Sequence, residues 1–385
     1  MEITLIWIWF FSLLLSFLYG LTSLLLSIGV IRIKRLTGNN LSEDQLPFVS
    51  VLIPAKDEEK NIKSCLDSIL NQSYPIDRYE IIVINDRSAD NTPTIIRDYA
   101  KRYVRIKSLN IKTRPKGITG KQNALQKGLG LCSGEIILNT DADCIANYNW
   151  IREIVFLFNE NTGIVLGFST IHNLYEGRSF FANLQFLDIL FLTDAAAGSI
   201  GLNIPVTWLG RNLSYKKSVL EYTDYNKMGY TITEDSSLIQ AVARNTDLSM
   251  GVVYHKNASV STVPEKDLKS FISQRLRWII GGRTGKSWTL LPLYGIFLFH
   301  LWLMLGFLVS FSVNSLFLPL IISVAVKIIF DFAACYRVCK EFHKLYLLKI
   351  FIPYEIFMII YSVILGFGSI FVRKVRWKND LYAKN

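Results

Sequence analysis

Long apolar stretches without charges lie near both ends of this 385-residue chain. Residues 3–31 contain no charged side chain, and about 20 apolar residues are enough to cross a bilayer. No basic segment precedes this stretch and no A-x-A cleavage site follows it, so a retained anchor is favoured over a removed signal peptide. Residues 288–326 carry no charge apart from His300 and are long enough for two spans. We therefore predict a transmembrane anchor over residues 1–35 and a C-terminal region, residues 288–385, with two or three membrane segments.

Basic residues beside the apolar stretches predict how the chain is oriented. Arg32, Lys34 and Arg35 follow the first stretch, which places the next segment in the cytoplasm. The last stretch, residues 350–372, is flanked on both sides by basic residues: Arg337, Lys340, Lys344 and Lys349 before it, and Arg373, Lys374, Arg376 and Lys378 after it. A re-entrant or interfacial segment would keep both groups in the cytoplasm, whereas a full crossing would override the charge rule, and both interpretations remain open. We expect an integral protein of the plasma (inner) membrane.

A further apolar stretch, residues 180–202, contains two acidic residues. Asp188 and Asp194 lie within it, and a charge in mid-bilayer costs several kcal/mol. We therefore predict a buried helix, or one that rests on the membrane. The remaining residues are predicted to form one cytoplasmic domain over 36–264, followed by an amphipathic helix at the membrane interface over 265–287.

Short apolar runs alternate with amphipathic helical patterns in the first part of this domain. The runs predict buried strands at 48–54, 80–86, 104–109 and 135–139, and the patterns between them predict helices at 58–70, around 95–99 and at 121–131. Strands that alternate with helices indicate parallel βαβ units. In such sheets, ligands bind beyond the carboxyl ends of the strands.

Acidic residues occupy two of these strand ends. Asp86 ends the second strand, and Asp141 and Asp143 follow the fourth. Three carboxylates at one sheet edge repel each other unless a cation lies between them. A divalent ion held by one or two carboxylates and completed by substrate phosphates suits this arrangement. Each aspartate could instead cap a turn, but their position at two strand ends of one array favours a site.

Composition narrows the classes of partner. The formal net charge is 42 − 31 = +11, which favours an anionic membrane surface, a nucleic acid or a phosphorylated substrate. Nucleic acid is disfavoured because the basic residues concentrate at the membrane boundaries. Five cysteines without C-x-x-C spacing indicate buried thiols rather than a disulfide scaffold or a metal site.

The motifs occur together in an order that resembles family 2 glycosyltransferases. They are Val51-Leu52-Ile53-Pro54-Ala55, Asp86, Asp141-Ala142-Asp143, Thr233-Glu234-Asp235 and Gln274-Arg275-Leu276-Arg277-Trp278. The resemblance covers about residues 47–283 and is to the membrane-bound branch, which includes cellulose, chitin and hyaluronan synthases and, more loosely, ceramide glucosyltransferases. It implies an α/β fold of the GT-A type, Rossmann-like with a mostly parallel sheet, flanked by transmembrane helices.

The resemblance also implies roles for individual residues in transfer from a UDP-sugar. Asp235 would be the general base, and Mg²⁺ or Mn²⁺ would be held by Asp143 directly, together with Asp141. The other donor-binding residues would be Pro54, Ala55, Glu58, Asp86 at the uracil, Asp141, and Lys121 and Arg277 at the diphosphate. The acceptor-binding residues would be Glu234, Gln274 and Trp278. Lys56 departs from the family pattern, which often has an aromatic residue there.

Spacing alone allows other interpretations of several of these residues. Asp235 could cap the helix predicted over 234–242, and Trp278 could be either a sugar-stacking platform or an interfacial anchor. The loop 210–212 resembles an acceptor-side loop but could be a plain turn. In the helix that follows residue 264, one apolar stripe is predicted to face the membrane, consisting of Leu268, Phe271, Ile272, Leu276 and Ile279, with Lys266, Lys269 and Arg275 near the headgroups.

The sequence thus predicts an inverting, metal-dependent glycosyltransferase that moves a sugar to a membrane-associated acceptor at the cytoplasmic face. A lipid acceptor is favoured because the reactive face would lie against the bilayer. A processive or short-chain polysaccharide synthase is the alternative within this class. A catalytically silent membrane protein that uses the GT-A fold for binding or assembly is the alternative outside it, and the presence of every motif carboxylate argues against it.

Overall fold

Along the chain, the strands of a seven-stranded sheet lie between the first and the last apolar helices. The computed structural model describes residues 2–34, 42–172, 175, 177, 179–206, 208, 210–282, 291–372, 374–378 and 380–383. The predicted domain boundaries at 35/36 and 287/288 lie outside these ranges. The strands are β1 (Val49–Ala55), β2 (Tyr79–Asp86), β3 (Ile106–Ile111), β4 (Ile136–Asn139), β5 (Cys144–Ala146), β6 (Thr162–Gly167), β7 (Ser169–Ile171), β8 (Leu213–Lys216), β9 (Ser249–Val253), β10 (Val260–Thr262), β11 (Lys374–Trp377) and β12 (Asp380–Ala383). The helices are α1 (Glu2–Lys34), α2 (Ile62–Leu70), α3 (Thr92–Arg102), α4 (Gly120–Leu129), α5 (Trp150–Val155), α6 (Phe180–Gly201), α7 (Glu234–Asn245), α8 (Leu268–Gly282), α9 (Leu291–Ser310), α10 (Phe317–Glu341) and α11 (Phe351–Phe371).

The four predicted strands form the parallel half of the central sheet. The strand order is β3-β2-β1-β4-β8-β6-β9, in which β1 to β4 are parallel and β8 is antiparallel to both of its neighbours. No predicted strand boundary among the four is wrong by more than two residues. The predicted α/β class with a mostly parallel sheet is confirmed.

Helix α2 begins at Ile62, four residues later than predicted. Asp57 has a φ of 52°, which is outside the right-handed helical region. The backbone N–H of Glu58 donates to Oγ1 of Thr92 at 2.7 Å, so the loop is held by the start of α3 instead of by helical hydrogen bonds. This loop keeps Glu58 near the carboxyl end of β1, on the side of the predicted site.

The domain and the apolar helices share one hydrophobic core. Side chains along β1 alternate between the two faces of the sheet, and Leu52 belongs to the core cluster that also contains Leu190 of α6, Phe271 of α8 and Tyr354 of α11. Val51 belongs to a second cluster, on the opposite face, with residues of α2, α3 and α5. The seven-stranded sheet therefore packs directly against the helices that are apolar enough for a membrane.

Five described helices are long and apolar enough to cross a membrane, by length and composition. They include residues Leu5–Ile33, Phe180–Gly201, Leu293–Ser310, Asn314–Glu341 and Leu345–Phe371. The first two pack closely through glycines: a Cβ atom at residue 29 would lie 2.0 Å from the carbonyl oxygen of Gly198. Small residues that let helix backbones approach in this way are typical of helix pairs in membranes.

Both acidic residues of α6 are paired inside the protein. Asp188 is fully buried and accepts hydrogen bonds from Nη2 of Arg275 at 2.5 Å and from the hydroxyl of Tyr361 at 2.5 Å. Asp194 pairs with Arg337 at 2.5 Å. The helix is mostly buried, as one of its two predicted alternatives states. Because each carboxylate has a cationic partner, the cost of an isolated charge does not apply to it.

The predicted contact of the α8 apolar stripe with the membrane surface is wrong for most of the stripe. Phe271 is fully buried, and its ring lies 5.4 Å from that of Phe357 in α11. A Cβ atom at residue 368 of α11 would lie 3.1 Å from Leu276. Arg275, predicted near the headgroups, is only 3% exposed because it pairs with α6. Periodicity correctly identified the apolar face, but α11 covers it instead of lipid.

The C-terminal helices extend the predicted apolar block. The turn predicted within 288–326 lies between α9 and α10, as expected. Helix α10 continues past residue 326 because Lys327 and Asp331 are buried and paired at 2.5 Å, and Glu355 of α11 lies 2.7 Å from Lys327. Helix α11 is continuous over 21 residues, which is long enough for the full-crossing interpretation of this segment.

We expect Asp188→Asn to destabilise the protein by about 3–5 kcal/mol, because it leaves the buried guanidinium of Arg275 without a counter-charge. The unfolding temperature in a fixed detergent would measure this effect. Asp98→Asn, on the exposed face of α3, is the matched control and should change stability by about 0.5 kcal/mol or less. Equal unfolding temperatures for the two variants would contradict the buried ion pair.

Candidate functional site

Segments that are far apart in the chain line one pocket at the carboxyl edge of the sheet. Its lining residues are Pro54, Lys121, Leu125, Asn139, Thr140, Asp141, Gly210, Leu213, Tyr225, Glu234 and Asp235. The end of β1, the start of α4, the end of β4, the turn before β8 and the start of α7 all contribute. Three motif carboxylates, Asp141, Glu234 and Asp235, therefore share this cavity, whereas Asp86 and Asp143 do not line it.

Lys121 connects two of the motifs. Its Nζ lies 2.8 Å from Oδ1 of Asp141 and 2.9 Å from Oε1 of Glu234. The lysine is held at the start of α4, where Thr119 and Gln122 form a capping box. The side chain of Gln122 also accepts a hydrogen bond from the backbone of Thr231 at 3.2 Å, which ties the segment before α7 to α4. The helix start thus sets the distance between the two motifs.

Asp235 uses its two carboxylate oxygens differently. Oδ1 accepts a hydrogen bond from the backbone N–H of the next residue, Ser236, at 2.7 Å. The N-cap residue of α7 is Thr233, and no side chain forms a cap hydrogen bond there, so Asp235 is not the helix cap. Oδ2 lies against the turn before β8: a Cβ atom at residue 210 would be 2.3 Å from it, so this contact requires glycine. Burial and the charge of Glu234 raise the pKa of Asp235 to about 6, against the opposing charge of Lys121. A carboxylate with this pKa is suited to general base catalysis near neutral pH.

The raised pKa of Asp235 predicts a pH dependence. Below about pH 6 the carboxyl group is protonated and cannot accept a proton, so kcat/KM should fall about tenfold for each further pH unit. Above it, kcat/KM should level off. A pH profile of kcat/KM between about pH 4.5 and about pH 8 would measure this. Rising activity on acidification would contradict the assignment, as would an inflection that is unchanged in Asp235→Glu.

Asp141 and Asp143 present carboxylate oxygens, which suit Mg²⁺ or Mn²⁺. Asp143 is half-buried, and its Oδ1 accepts only a weak hydrogen bond from the thiol of Cys144 at 3.4 Å. Burial opposes ionisation of Asp141, but the positive charges of Lys121 and Arg211 keep its pKa below the usual range. Among the described residues, no three acidic, histidine or cysteine side chains form a metal cage. A bound ion would therefore need oxygen atoms from the substrate to complete its coordination.

Two of the residues predicted to bind the donor, Asp86 and Glu58, have basic partners within the protein. Both carboxylate oxygens of Asp86 accept hydrogen bonds from Arg87, at 2.8 and 2.9 Å. Glu58 pairs with Lys378 of the C-terminal hairpin, 320 residues away in the chain. Burial and the charge of Asp143 raise the pKa of Glu58, against the opposing charge of Lys378. Arg87 is the next residue in the chain after Asp86, whereas no local sequence pattern could have identified Lys378 as the partner of Glu58.

Some residues of the motif in α8, residues 274–278, lie near the site, and others contact different parts of the protein. Arg277 lies close enough to Asp141 to help lower the pKa of that carboxyl group. Nε2 of Gln274 donates to Glu265 at 2.6 Å, so this predicted acceptor-binding residue is engaged within the protein. The guanidinium carbon of Arg275 lies 4.0 Å from the centroid of the Trp278 ring and covers one of its faces. A sugar could therefore stack only on the other face.

A mostly parallel sheet with acidic residues at its carboxyl edge and a lysine between them defines a glycosyltransferase of the GT-A type. This one also has helices that are long and apolar enough to cross a membrane. The chain superposes on the mannosyltransferase PcManGT from Pyrobaculum calidifontis with a TM-score of 0.58 at 18% identity, covering 94% of this chain and 99% of that chain, which shows the shared fold.

The chain belongs to glycosyl transferase family group 2, whose sequence model matches residues 136–368. The sequence model of glycosyl transferase family 2 matches residues 50–218. The chain is 35% identical over 192 residues to the beta-monoglucosyldiacylglycerol synthase of Trichormus variabilis, covering 48% of this chain and 40% of that protein. It is 28% identical over 246 residues to the poly-beta-1,6-N-acetyl-D-glucosamine synthase of Staphylococcus epidermidis, covering 62% of this chain and 55% of that protein. The chain thus spans about half the length of these curated relatives. The resemblance drawn from the motifs is confirmed.

Proposed function

We propose that this protein transfers a sugar from a UDP-sugar to a membrane lipid, with inversion at the anomeric carbon, at the cytoplasmic face of the plasma membrane. One observation carries the proposal. Lys121 lies within 2.9 Å of carboxylates from two motifs, in a pocket that also contains Asp235. A cation and a base in one cavity can serve the leaving diphosphate and the attacking hydroxyl group of the same reaction.

In this reaction, the acceptor hydroxyl oxygen attacks the anomeric carbon and its proton passes to Oδ2 of Asp235. The bond between the anomeric carbon and the β-phosphate oxygen breaks, and UDP leaves with the electron pair. Lys121 and Arg277 stabilise the negative charge that develops on the diphosphate. When bound at Asp143 and Asp141, Mg²⁺ or Mn²⁺ supplies further charge neutralisation. PcManGT, which has the same fold, was solved with GDP-Man and Mn²⁺, and this supports the use of a divalent ion.

The lipid acceptor is supported by two observations. The sheet and the apolar helices share one core, so the pocket is held at a constant distance from the membrane-length helices. The relative from Trichormus variabilis is a glucosyldiacylglycerol synthase, which acts on a lipid. The relative from Staphylococcus epidermidis is a polysaccharide synthase and supports the alternative of polymer formation.

Product analysis distinguishes these functions. The full chain, purified in detergent, would be incubated with Mn²⁺, a panel of UDP-sugars and a membrane lipid extract, and the products would be identified by mass spectrometry. We expect lipids that carry one or a few added sugars. A long ladder of sugar additions would favour the polysaccharide synthase, and the absence of any product with every donor would favour a silent binding protein. Asp235→Asn is the control for contaminating transferases.

A further inference from the structure

Arg275 of α8 contacts both residues of its motif that are predicted to bind the acceptor. Its guanidinium carbon lies 4.0 Å from the centroid of the Trp278 ring and 4.5 Å from that of the Phe271 ring, so rings on the same helix stack against it. Nη1 donates to Oε1 of Gln274 at 2.9 Å, and Nη2 donates to Asp188 of α6 at 2.5 Å. One buried cation therefore orders Gln274 and Trp278 together.

The position of this arginine is set from the membrane-length helices. Its counter-charge, Asp188, also accepts a hydrogen bond from the hydroxyl group of Tyr361 in α11 at 2.5 Å. On the preceding turn of α6, Gln185 forms two hydrogen bonds with the backbone of Glu265: Nε2 donates to the carbonyl oxygen at 2.9 Å, and Oε1 accepts from the N–H at 2.8 Å. Helix α6 thus holds both the segment before α8 and the motif arginine.

Helix α8 lies against the segment that carries the candidate base. A Cβ atom at residue 281 would lie 2.4 Å from Thr233, which directly precedes Glu234 and Asp235. Trp278 is less than one turn before this contact and is half-buried. The orientation of its ring is therefore fixed close to the site by a charge that α6 and α11 hold.

The ion pair between Arg275 and Asp188 could serve stability alone, and lysine would then be an adequate substitute. A guanidinium group, however, stacks on rings with its faces while its edge donates hydrogen bonds, and an ammonium group cannot do both. We propose that Arg275 is a positioning residue that holds the Trp278 ring and the Gln274 amide in the orientation they present to the acceptor. The part of the acceptor rests on the proposed function, whereas the orientation can be measured without it.

Fluorine NMR measures the environment of Trp278 without any substrate. The full chain, labelled with fluorotryptophan and purified in detergent, gives a Trp278 signal that is identified by its loss in Trp278→Phe. We expect Arg275→Lys to shift or broaden this signal, because the charge pair with Asp188 remains but the stacking is lost. Tyr361→Phe removes only one hydrogen bond to Asp188, so it should change the signal less, and it decides the question if Arg275→Lys does not fold. Lys269→Gln, exposed on the same helix, is the matched control and should leave the signal unchanged.

Steady-state kinetics test the consequence for the acceptor. With UDP-glucose, Mn²⁺ and dihexanoylglycerol as the probe acceptor, Arg275→Lys should raise the KM for the acceptor about tenfold and leave UDP affinity unchanged. A loss of stability alone would lower the amount of active enzyme without changing this KM. In a Trp278→Phe background, Arg275→Lys should change the KM little further, because it acts through the ring.

The two measurements separate this inference from the proposed function. A Trp278 signal that is unchanged in both Arg275→Lys and Tyr361→Phe overturns the inference. An effect of Arg275→Lys on the KM that is the same with and without Trp278 also overturns it, since the arginine would then not act through the ring. A signal that moves as expected, in a chain that transfers no sugar to any lipid, supports the positioning of Trp278 and refutes the proposed function.

Discussion

We expect Asp235→Asn to lower the rate of sugar transfer by about 10²–10⁴-fold while UDP affinity remains nearly unchanged. Asparagine has nearly the same shape as aspartate and can fit against Gly210, but it cannot accept the proton of the acceptor hydroxyl group. Lys121 keeps both of its ion pairs, to Asp141 and Glu234, because neither involves the substituted side chain. Donor binding and proton transfer are therefore separable at this position.

Steady-state rates and UDP titrations on the same preparations would measure both effects. Asp247→Asn, an exposed position just beyond the other end of α7, is the matched control and should behave as the wild type. A loss of UDP affinity as large as the loss of rate would contradict the role of Asp235 as a base. Activity close to that of the wild type would do the same.

The second large effect is expected at Asp143, the proposed ligand of the metal ion. Asp143→Ala should weaken UDP binding in the presence of Mn²⁺ by about two orders of magnitude, because a metal ion on the phosphates contributes several kcal/mol of charge stabilisation. The contact between Lys121 and Asp141 remains, so the weak binding seen without metal should persist. The variant with Mn²⁺ should therefore match the wild type treated with a chelator.

Calorimetry with UDP, with and without Mn²⁺, would provide this comparison. Asp98→Ala, on the exposed face of α3, controls for the loss of one acidic side chain from the domain. Binding that Mn²⁺ still strengthens in Asp143→Ala would contradict the role of this carboxylate as the direct ligand. Wild-type UDP affinity that is insensitive to the chelator would exclude metal-assisted binding of the nucleotide.

Several features of the fold follow from local patterns. The strands were predictable because buried parallel strands appear as short runs of β-branched and apolar residues between polar turns. Asp86 and Asp141 could be assigned to one edge because parallel strands bring their carboxyl ends together. The start of α2 was not predictable, since the loop before it is fixed by Thr92, which lies in a different helix.

Several features of the site depend on partners that are distant in the chain. The ion pair between Arg275 and Asp188 spans 87 positions, and the contact between Lys378 and Glu58 spans 320. Arg275 was predicted to lie near the headgroups. Its contacts with Asp188 and Trp278 became evident only after α6 and α11 were placed against α8.

The sequence by itself determined the class of this protein: an α/β domain of the family 2 glycosyltransferases, between helices long and apolar enough for a membrane, with acidic motifs at the strand ends. These properties depend on periodicity and spacing over a few residues, which constrain the backbone directly. The tertiary structure alone decided what covers each face of a helix and which charges meet. The reason is physical. An amphipathic pattern indicates that one face of a helix must be buried, and a buried charge must be neutralised. Neither requirement specifies which part of the chain provides the partner. That partner is chosen by how the whole chain packs.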